Sequence, residues 1–396
     1  MTRSTSVART RTSGATAPPG GVRPVGRGVP KGRVVLLLGG GFGLLTGLWT
    51  GLSRAGLPLA GGPAAHHGIL MTLGFLGTLI SLERAVAYRA RWTYLAPALS
   101  GCAVLWLLAD GPAAGSGVLF TTAGLLVVTV YARTWSTHRE PYLALMGAGG
   151  LAWVLAALLW TAGASPVRLA PLLGAFLVFT IIGERLELSR LRRASRAATR
   201  RLLLAVGVFG LGVTVGWFAH DLGLIVAGIG LLATTGWFVR HDIARITVRQ
   251  AGLPRFAAVC MLAGYVWLAL GGALWITLGL RLGGPLIHDA AVHAVFLGFV
   301  LSMVMGHAPI ILPAVLRIRL PHRPLAWLPL ALLHTTVAAR VVADLAGSVW
   351  GRGLTAAGNA AALLLFVALT AVTAAKTRPT DRETTRAATP PMGHLP

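Results

Sequence analysis

Charged residues and cysteines are scarce in this chain. Only 12% of its 396 residues are charged, about half of the roughly 25% that is usual in soluble domains. The two cysteines, Cys102 and Cys260, both lie inside long apolar stretches. This placement excludes a disulfide framework and a thiolate metal site, so we interpret both as small apolar core residues. The shortage of charge excludes a soluble protein of this size.

Long hydrophobic runs make up the parts of the chain in which charged residues are scarce. Hydrophobic residues make up 55% of the chain and the mean hydropathy is +0.73, as in a polytopic membrane protein. A membrane span needs roughly 20 mostly apolar residues, which form a helix because lipid cannot satisfy open backbone groups. Twelve stretches meet this requirement, and we predict an all-α protein with twelve transmembrane helices. They are approximately 34–52, 64–82, 93–109, 114–132, 142–162, 166–183, 202–219, 221–239, 256–279, 289–308, 324–343 and 353–374.

Acidic residues are the rarest class, with 11 Asp and Glu against 35 Lys and Arg, which gives a net charge of +24. In a soluble protein this excess would point to nucleic acid, but here its distribution follows the positive-inside rule. If both termini are cytoplasmic, all but five of the basic residues lie on the cytoplasmic side. The five exceptions are Arg54, Arg168, Arg281, Arg340 and Arg352. We therefore predict a multi-pass protein of the cell (inner or plasma) membrane with no nucleic-acid partner.

Both ends of the chain are polar. Residues 1–33 are rich in Thr, Ser, Gly, Pro and Arg and contain no acidic residue, which predicts a disordered cytoplasmic tail. Residues 375–396 form a second polar cytoplasmic tail. The membrane domain then covers 34–374, and its first apolar run lacks the short form and cleavage site of a signal peptide.

An internal repeat divides the membrane domain. The second, sixth and tenth predicted helices each carry Leu-Gly about ten residues before a polar residue, which is Glu83, Glu184 and His307 respectively. Each of these helices is the second in a group of four. The pattern predicts three pseudo-repeated four-helix units, about 34–132, 142–239 and 256–374, which meet around the functional site.

Histidines within apolar helices are the best candidates for function, because an imidazole at membrane depth usually binds a ligand or relays protons. Two opposed imidazoles at one depth can hold a haem. His67 and His293 are predicted at matching depth near the external ends of their helices and form the first candidate site. Their neighbours His66 and His288 are the alternative ligands at that depth, although all four could instead be solvated or hydrogen-bonded.

A second candidate site lies deeper. His307 follows His293 by 14 residues, which in an α-helix places both on one face about 21 Å apart. His334 of the next predicted helix is expected near the depth of His307, so the pair could hold a second haem or a metal. His67 with Met71, and Met303 with His307, are spaced i,i+4 and offer the imidazole and thioether ligands that suit copper.

Other interpretations remain open for these residues. The Glu83-Arg84 and Glu184-Arg185 pairs are expected to end helices at the cytoplasmic interface, with each arginine reaching the headgroups. A cofactor-free transporter or permease, in which His293, His307 and His334 contact protons or substrate, is the main alternative function. The sequence leaves open whether the protein is an enzyme.

The histidine-bearing helices resemble those of a known superfamily. His67-Gly-Ile-Leu-Met and His288-Asp, with His293 and the run Phe-Leu-Gly-Phe-Val-Leu-Ser-Met that follows, look like the haem-bearing helices of the haem–copper oxidases. That superfamily also has twelve helices in three four-helix units. The sixth and seventh helices here contain no histidine, so the copper-site histidines and the linked tyrosine of the oxidases have no counterpart, which argues against dioxygen reduction.

The closer resemblance is to the NnrS family, twelve-helix membrane proteins with haem and copper that are associated with the response to nitric oxide. It rests on Phe-Leu-Gly-Phe-Val-Leu-Ser-Met-Val-Met-Gly-His-Ala-Pro, which ends at Pro309. The resemblance implies b-type haem, copper as a further cofactor, and a role in nitric-oxide-related or respiratory redox response, with nitric oxide or a quinone as partner.

Overall fold

The computed structural model describes residues 29–59, 64–189, 195–284, 286–318 and 320–376. This part of the chain is helical and contains no β-strand, which confirms the all-α prediction. The predicted tail 1–33 lies outside the described residues except for 29–33, and the tail 375–396 except for 375–376.

Twelve long helices follow one another with short connections. They are α1 (Lys31–Arg54), α2 (His67–Tyr88), α3 (Leu95–Leu108), α4 (Ala113–Thr137), α5 (Pro141–Thr161), α6 (Pro166–Ser189), α7 (Arg196–Val215), α8 (His220–His241), α9 (Leu253–Gly279), α10 (Ile287–Leu316), α11 (Pro324–Leu345) and α12 (Val349–Lys376). A 3₁₀ turn precedes α3, and a single helical turn, Ala244–Thr247, lies between α8 and α9.

Eleven helices in the described ranges are long and apolar enough to cross a membrane, so a multi-pass membrane protein is confirmed. The exception is α3, which has 14 residues and is about 21 Å long, against a hydrocarbon core of about 30 Å. The longest are α12 with 28 residues and α10 with 30 residues. The predicted spans each fall on one of the twelve helices, with ends that differ by several residues.

Contacts between distant parts of the chain define the two ends of the bundle. We call the end at which α1 begins the N-terminal side and the other end the opposite side. Arg33 near the start of α1 donates to the carbonyl of Val315 at the end of α10. Arg352 near the start of α12 donates to the carbonyl of Arg54 at the end of α1.

Glycines let the helix backbones approach each other closely. A Cβ atom built on Gly212 of α7 would lie 2.1 Å from the backbone nitrogen of Ala227 in α8, and one on Gly228 would lie 2.5 Å from the Gly272 carbonyl oxygen of α9. Such contacts through small residues are the usual means of packing membrane helices. Large apolar side chains such as Leu204 remain exposed on the outside, where lipid would cover them.

Two helices contain a rare π-helical segment. It covers Leu70–Gly77 in α2 and Ala294–Leu301 in α10, eight residues in each case. Both segments have Leu-Gly at their fourth and fifth residues, the pair on which the predicted repeat rests. The related pair in α6 lies in an ordinary α-helix. Long π-helical segments are uncommon and frequently occur at functional sites.

The arginines of the Glu-Arg pairs are largely buried and ion-paired, rather than extended toward the headgroups as predicted. Arg185 is only 4% exposed, and its guanidinium donates to both carboxylate oxygens of Asp242 at 2.6 to 3.0 Å. Arg84 bonds Glu83 at 2.6 Å and reaches Glu184 of α6 at 3.5 Å. The prediction of headgroup contact was wrong because each arginine finds an acidic partner inside the bundle.

Candidate functional site

A cavity opens at the opposite side of the bundle, between α1, α2, α6, α10, α11 and α12. Its walls are mostly leucine, alanine and aromatic side chains, and its enclosed free volume is about 160 Å³. Cofactor sites are usually apolar clefts of about 300–1,000 Å³ with a few polar groups, so the side chains that line this cavity would have to move outward to admit a large cofactor. The polar groups here include His67, His288, Asp289, His293 and Arg340.

Two predicted site residues face each other across this cavity. His67 is the first residue of α2, and His293 ends the first two turns of α10, directly before its π-helical segment. The two imidazole rings have centroids 6.4 Å apart and planes inclined by 25°. The structure therefore brings together the first candidate pair.

Hydrogen bonds fix which nitrogen of each ring can bind a ligand. Nδ1 of His67 lies 2.8 Å from the carbonyl oxygen of Gly47 in α1, and Nδ1 of His293 lies 2.8 Å from the carbonyl oxygen of Asp289. A carbonyl can only accept, so both Nδ1 atoms must carry the proton. In a neutral ring Nε2 then keeps its lone pair, as in histidines that bind metals.

Close packing of α1 holds the His67 ring in place. A Cβ atom built on Gly51 would lie 2.6 Å from Cε1 of His67, and one on Gly47 would lie 2.5 Å from the sulfur of Met71. Both side chains also line the cavity. The glycine spacing of α1 thus allows the helix to lie directly against the ligand-bearing face of α2.

A charged cluster supports the other ring. Arg340 of α11 donates to the Asp289 carboxylate at 2.7 Å, Arg352 lies 3.7 Å from the same oxygen, and Nδ1 of His293 is 3.4 Å from it. The fully buried Asp344 is 3.9 Å from Arg340. The contact of Arg340 with Asp344, four residues later in the same helix, is therefore longer than its contact with Asp289, and Arg340 binds mainly to Asp289. In the sequence, the support of His293 by Asp289 is indicated by the position of Asp289 one helical turn before His293.

The alternative ligands have different surroundings. His66 packs edge-on against Trp160, with ring centroids 5.3 Å apart, and does not line the cavity. Partial burial lowers the pKa of His66 because it disfavours the charged ring. His288 lines the cavity, and its buried Nδ1 has no hydrogen-bond partner among the described residues. Neither forms the paired arrangement of His67 and His293.

The second candidate pair is not brought together by the described contacts. The ring of His334 is nearly parallel to that of Trp267 in α9, and the indole nitrogen donates to Nδ1 of His334 at 2.8 Å. Its Nε2 is 3.5 Å from the Ser302 hydroxyl. His307 is 8% exposed, its Nδ1 donates to the Met303 carbonyl at 2.7 Å, and its buried Nε2 has no partner in the described part of the chain.

The π-helical segment of α10 lies between His293 and His307. The prediction that His293 and His307 share one face assumed an α-helix between them, but eight of the intervening positions are π-helical. A π-helix turns less per residue than an α-helix, so the angle between the two histidines around α10 differs from the angle that the α-helical count predicts.

The donor atoms limit which metal groups the cavity could hold. The described residues contain no group of three or more His, Cys, Asp or Glu side chains placed to bind one metal ion. A haem needs only axial ligands from the protein, since its own nitrogens occupy the other four positions. Two opposed imidazoles in an apolar cavity fit that requirement.

The comparisons with known proteins give one match. A protein family described as a domain of unknown function (DUF8744) matches residues 33–375, which is most of the chain and includes all twelve helices almost completely. Comparisons with curated protein sequences and with solved structures give no match.

Proposed function

The chain belongs to the DUF8744 family, and we propose that this member is a membrane protein that binds b-type haem through His67 and His293. Its proposed role is NnrS-like, in nitric-oxide-related or respiratory redox response, with nitric oxide or a quinone as partner. The observation that carries the proposal is the pair of imidazoles that face each other across the cavity at the opposite side.

The spacing of the rings supports two ligands to one central atom. A metal–imidazole bond is about 2.0 Å long, so an atom bound between two Nε2 atoms would separate the ring centroids by roughly 6–6.5 Å. The observed separation is 6.4 Å. Both Nδ1 atoms donate hydrogen bonds to backbone carbonyl groups, so the two Nε2 atoms are the proposed ligands.

The surroundings of the rings also suit the proposed cofactor. Leu173, Phe296 and Leu297 line the cavity and would exclude water from an apolar macrocycle. Arg54 lies in the same lining and would offer positive charge to carboxylate substituents. Bound haem would supply one-electron redox chemistry.

We further propose that the protein crosses the cell membrane twelve times, with both termini cytoplasmic and the helices in three units of four. The N-terminal side is then cytoplasmic and the haem cavity opens externally. The short helix α3, extended by the 3₁₀ turn before it, would make the third crossing. Support comes from the arginine distribution and from the matched π-helical segments of α2 and α10.

The test is haem analysis of the purified protein. The wild type is expressed with haem available, purified in detergent and analysed by pyridine haemochrome and reduced-minus-oxidised spectra, with copper measured on the same samples. We expect one b-type haem, lost in His67→Ala and in His293→Ala. His288→Ala is the matched control, because His288 lines the same cavity without an opposed partner. Absence of haem from correctly folded wild type would contradict the proposal. Loss of haem only in His288→Ala would identify His288 as the ligand in place of His67 and His293.

A cofactor-free, proton-coupled transporter is the second candidate, and a separate observation favours it. The N-terminal-side half of the bundle contains the buried Arg185–Asp242 ion pair and Nε2 of His307, which has no partner among the residues that the structure describes. Ionisable groups within a membrane bundle commonly mark ion or proton pathways. Proton flux into proteoliposomes, abolished by His307→Ala and unaffected by His67→Ala, would favour this function over haem binding.

A further inference from the structure

A second cavity lies at the N-terminal side, where α1, α2 and α10 separate. It is lined by Val86 and Ala87 of α2 and by Ile310, Ile311 and Ala314 of α10, and its volume is about 740 Å³. It shares no lining residue with the histidine cavity. Its walls are apolar and Ile310 is 54% exposed, so the cavity opens toward the lipid that surrounds the bundle.

Three arginines line the same cavity. They are Arg33 of α1, Arg89 after the end of α2 and Arg317 after the end of α10. Arg33 is held by the Val315 carbonyl at 2.9 Å and lies 5.8 Å from the centre of the Tyr94 ring. These contacts leave its charge without an acidic partner among the described residues.

The other two arginines are also free of ion pairs in the described ranges. The only carboxylate in the lining is Glu83, which is bonded to Arg84 at 2.6 Å. Arg89 and Arg317 both have a left-handed backbone, with φ of +63° and +57°. This conformation is uncommon for residues other than glycine. Here the left-handed residue directly follows α2 in one case and α10 in the other, so the backbone turns beside the cavity at both places.

An occupant of this cavity must therefore combine an apolar chain with an anionic head. In the proposed topology the apolar walls would face the hydrocarbon core, whereas the three arginines lie where α1 begins and where α2 and α10 end, which would be the level of the headgroups. Guanidinium groups bind phosphate oxygens with fork-like geometry. Basic pockets between membrane helices attract anionic lipids.

We propose that this cavity binds one anionic phospholipid from the leaflet on the N-terminal side. Its phosphate is bound by Arg33, Arg89 and Arg317, and an acyl chain lies between α2 and α10 against Ile310 and Ile311. The site is independent of haem binding, because it lies at the other end of the bundle.

Native mass spectrometry of the full-length protein in detergent tests this proposal. The protein is titrated with phosphatidylglycerol and with phosphatidylcholine of the same acyl chains, with and without inorganic phosphate. Each arginine near the surface contributes roughly a fivefold factor to anionic lipid binding, so replacing three should weaken the strongest phosphatidylglycerol site on the order of 100-fold. The test variant is Arg33→Gln/Arg89→Gln/Arg317→Gln.

The matched control removes the same charge from the same side of the protein. Arg200, Arg201 and Arg249 are exposed and do not line the cavity, so their triple replacement with Gln should leave the site unchanged. Ala314→Trp fills the cavity without a change of charge and should also remove the strongest site. It keeps the test valid if the arginine variant does not fold.

Three outcomes would overturn the proposal. Equal weakening by both triple variants would mean a general charge effect. Equal affinity for phosphatidylcholine would mean that the arginines do not select the headgroup. Complete displacement of phosphatidylglycerol by millimolar phosphate would mean a site for the free anion.

Discussion

Removal of one partner from the Arg185–Asp242 pair should destabilise the protein severely. Each side chain is about 4% exposed, and Asp242 also accepts from the Tyr265 hydroxyl at 2.9 Å and the Ala244 backbone nitrogen at 2.7 Å. Asp242→Asn leaves the Arg185 guanidinium buried beside a neutral amide that accepts through one oxygen instead of two. Loss of one partner from a buried pair costs about 3–5 kcal/mol because the remaining charge is unpaired.

A double variant separates the cost of the unpaired charge from the net contribution of the ion pair to stability. Arg185→Met alone removes the cation and leaves the Asp242 carboxylate with two hydrogen-bond donors. In Arg185→Met/Asp242→Asn no unpaired charge remains, so the loss should be smaller than the sum of the two single losses by about 2 kcal/mol.

The assay is unfolding of the purified protein in mixed micelles by increasing SDS, followed by fluorescence of the twelve tryptophans. Arg281–Asp221 is the matched control, because its arginine side chain is 82% exposed, and Arg281→Met should cost less than about 1 kcal/mol. A loss below about 1 kcal/mol in Asp242→Asn, or additive losses in the double variant, would refute the reasoning.

Three further predictions concern the haem cavity and the topology. Gly51→Ala places a methyl group against the His67 ring and should reduce the haem content severalfold by pyridine haemochrome, whereas Gly41→Ala on the same helix meets nothing within 4 Å and should not. His307→Ala and His334→Ala should lower unfolding stability additively, because their rings have different partners; strong non-additivity would restore the shared inner site. Reporter fusions after residues 58, 112, 164 and 284 should read external, and two or more cytoplasmic readings would refute the twelve-crossing topology.

The helical membrane fold could be predicted because it depends on local composition. Runs of about 20 apolar residues must become helices in lipid, and eleven of the described helices meet that standard. The predicted depth of His67 and His293 also follows from position along each helix. The structure places the centroids of their rings 6.4 Å apart.

The remaining features depend on contacts that the sequence does not display. A π-helical segment changes the rotation of every residue after it, so the angle from His293 to His307 could not be found by counting at 100° per residue. The burial of Arg185 depends on Asp242, which comes 57 positions later, directly after the end of α8. Local sequence patterns determine the depth of a side chain in the membrane, whereas packing between helices determines which side chains contact each other.

The most direct test of the central claim is the electron paramagnetic resonance spectrum of the oxidised, purified protein. Two imidazole ligands make a ferric haem low-spin, so we predict a low-spin signal in the wild type. His67→Ala and His293→Ala should each lose that signal or convert it to high-spin. A high-spin wild type, or a low-spin signal that survives both substitutions, would contradict haem ligation by His67 and His293.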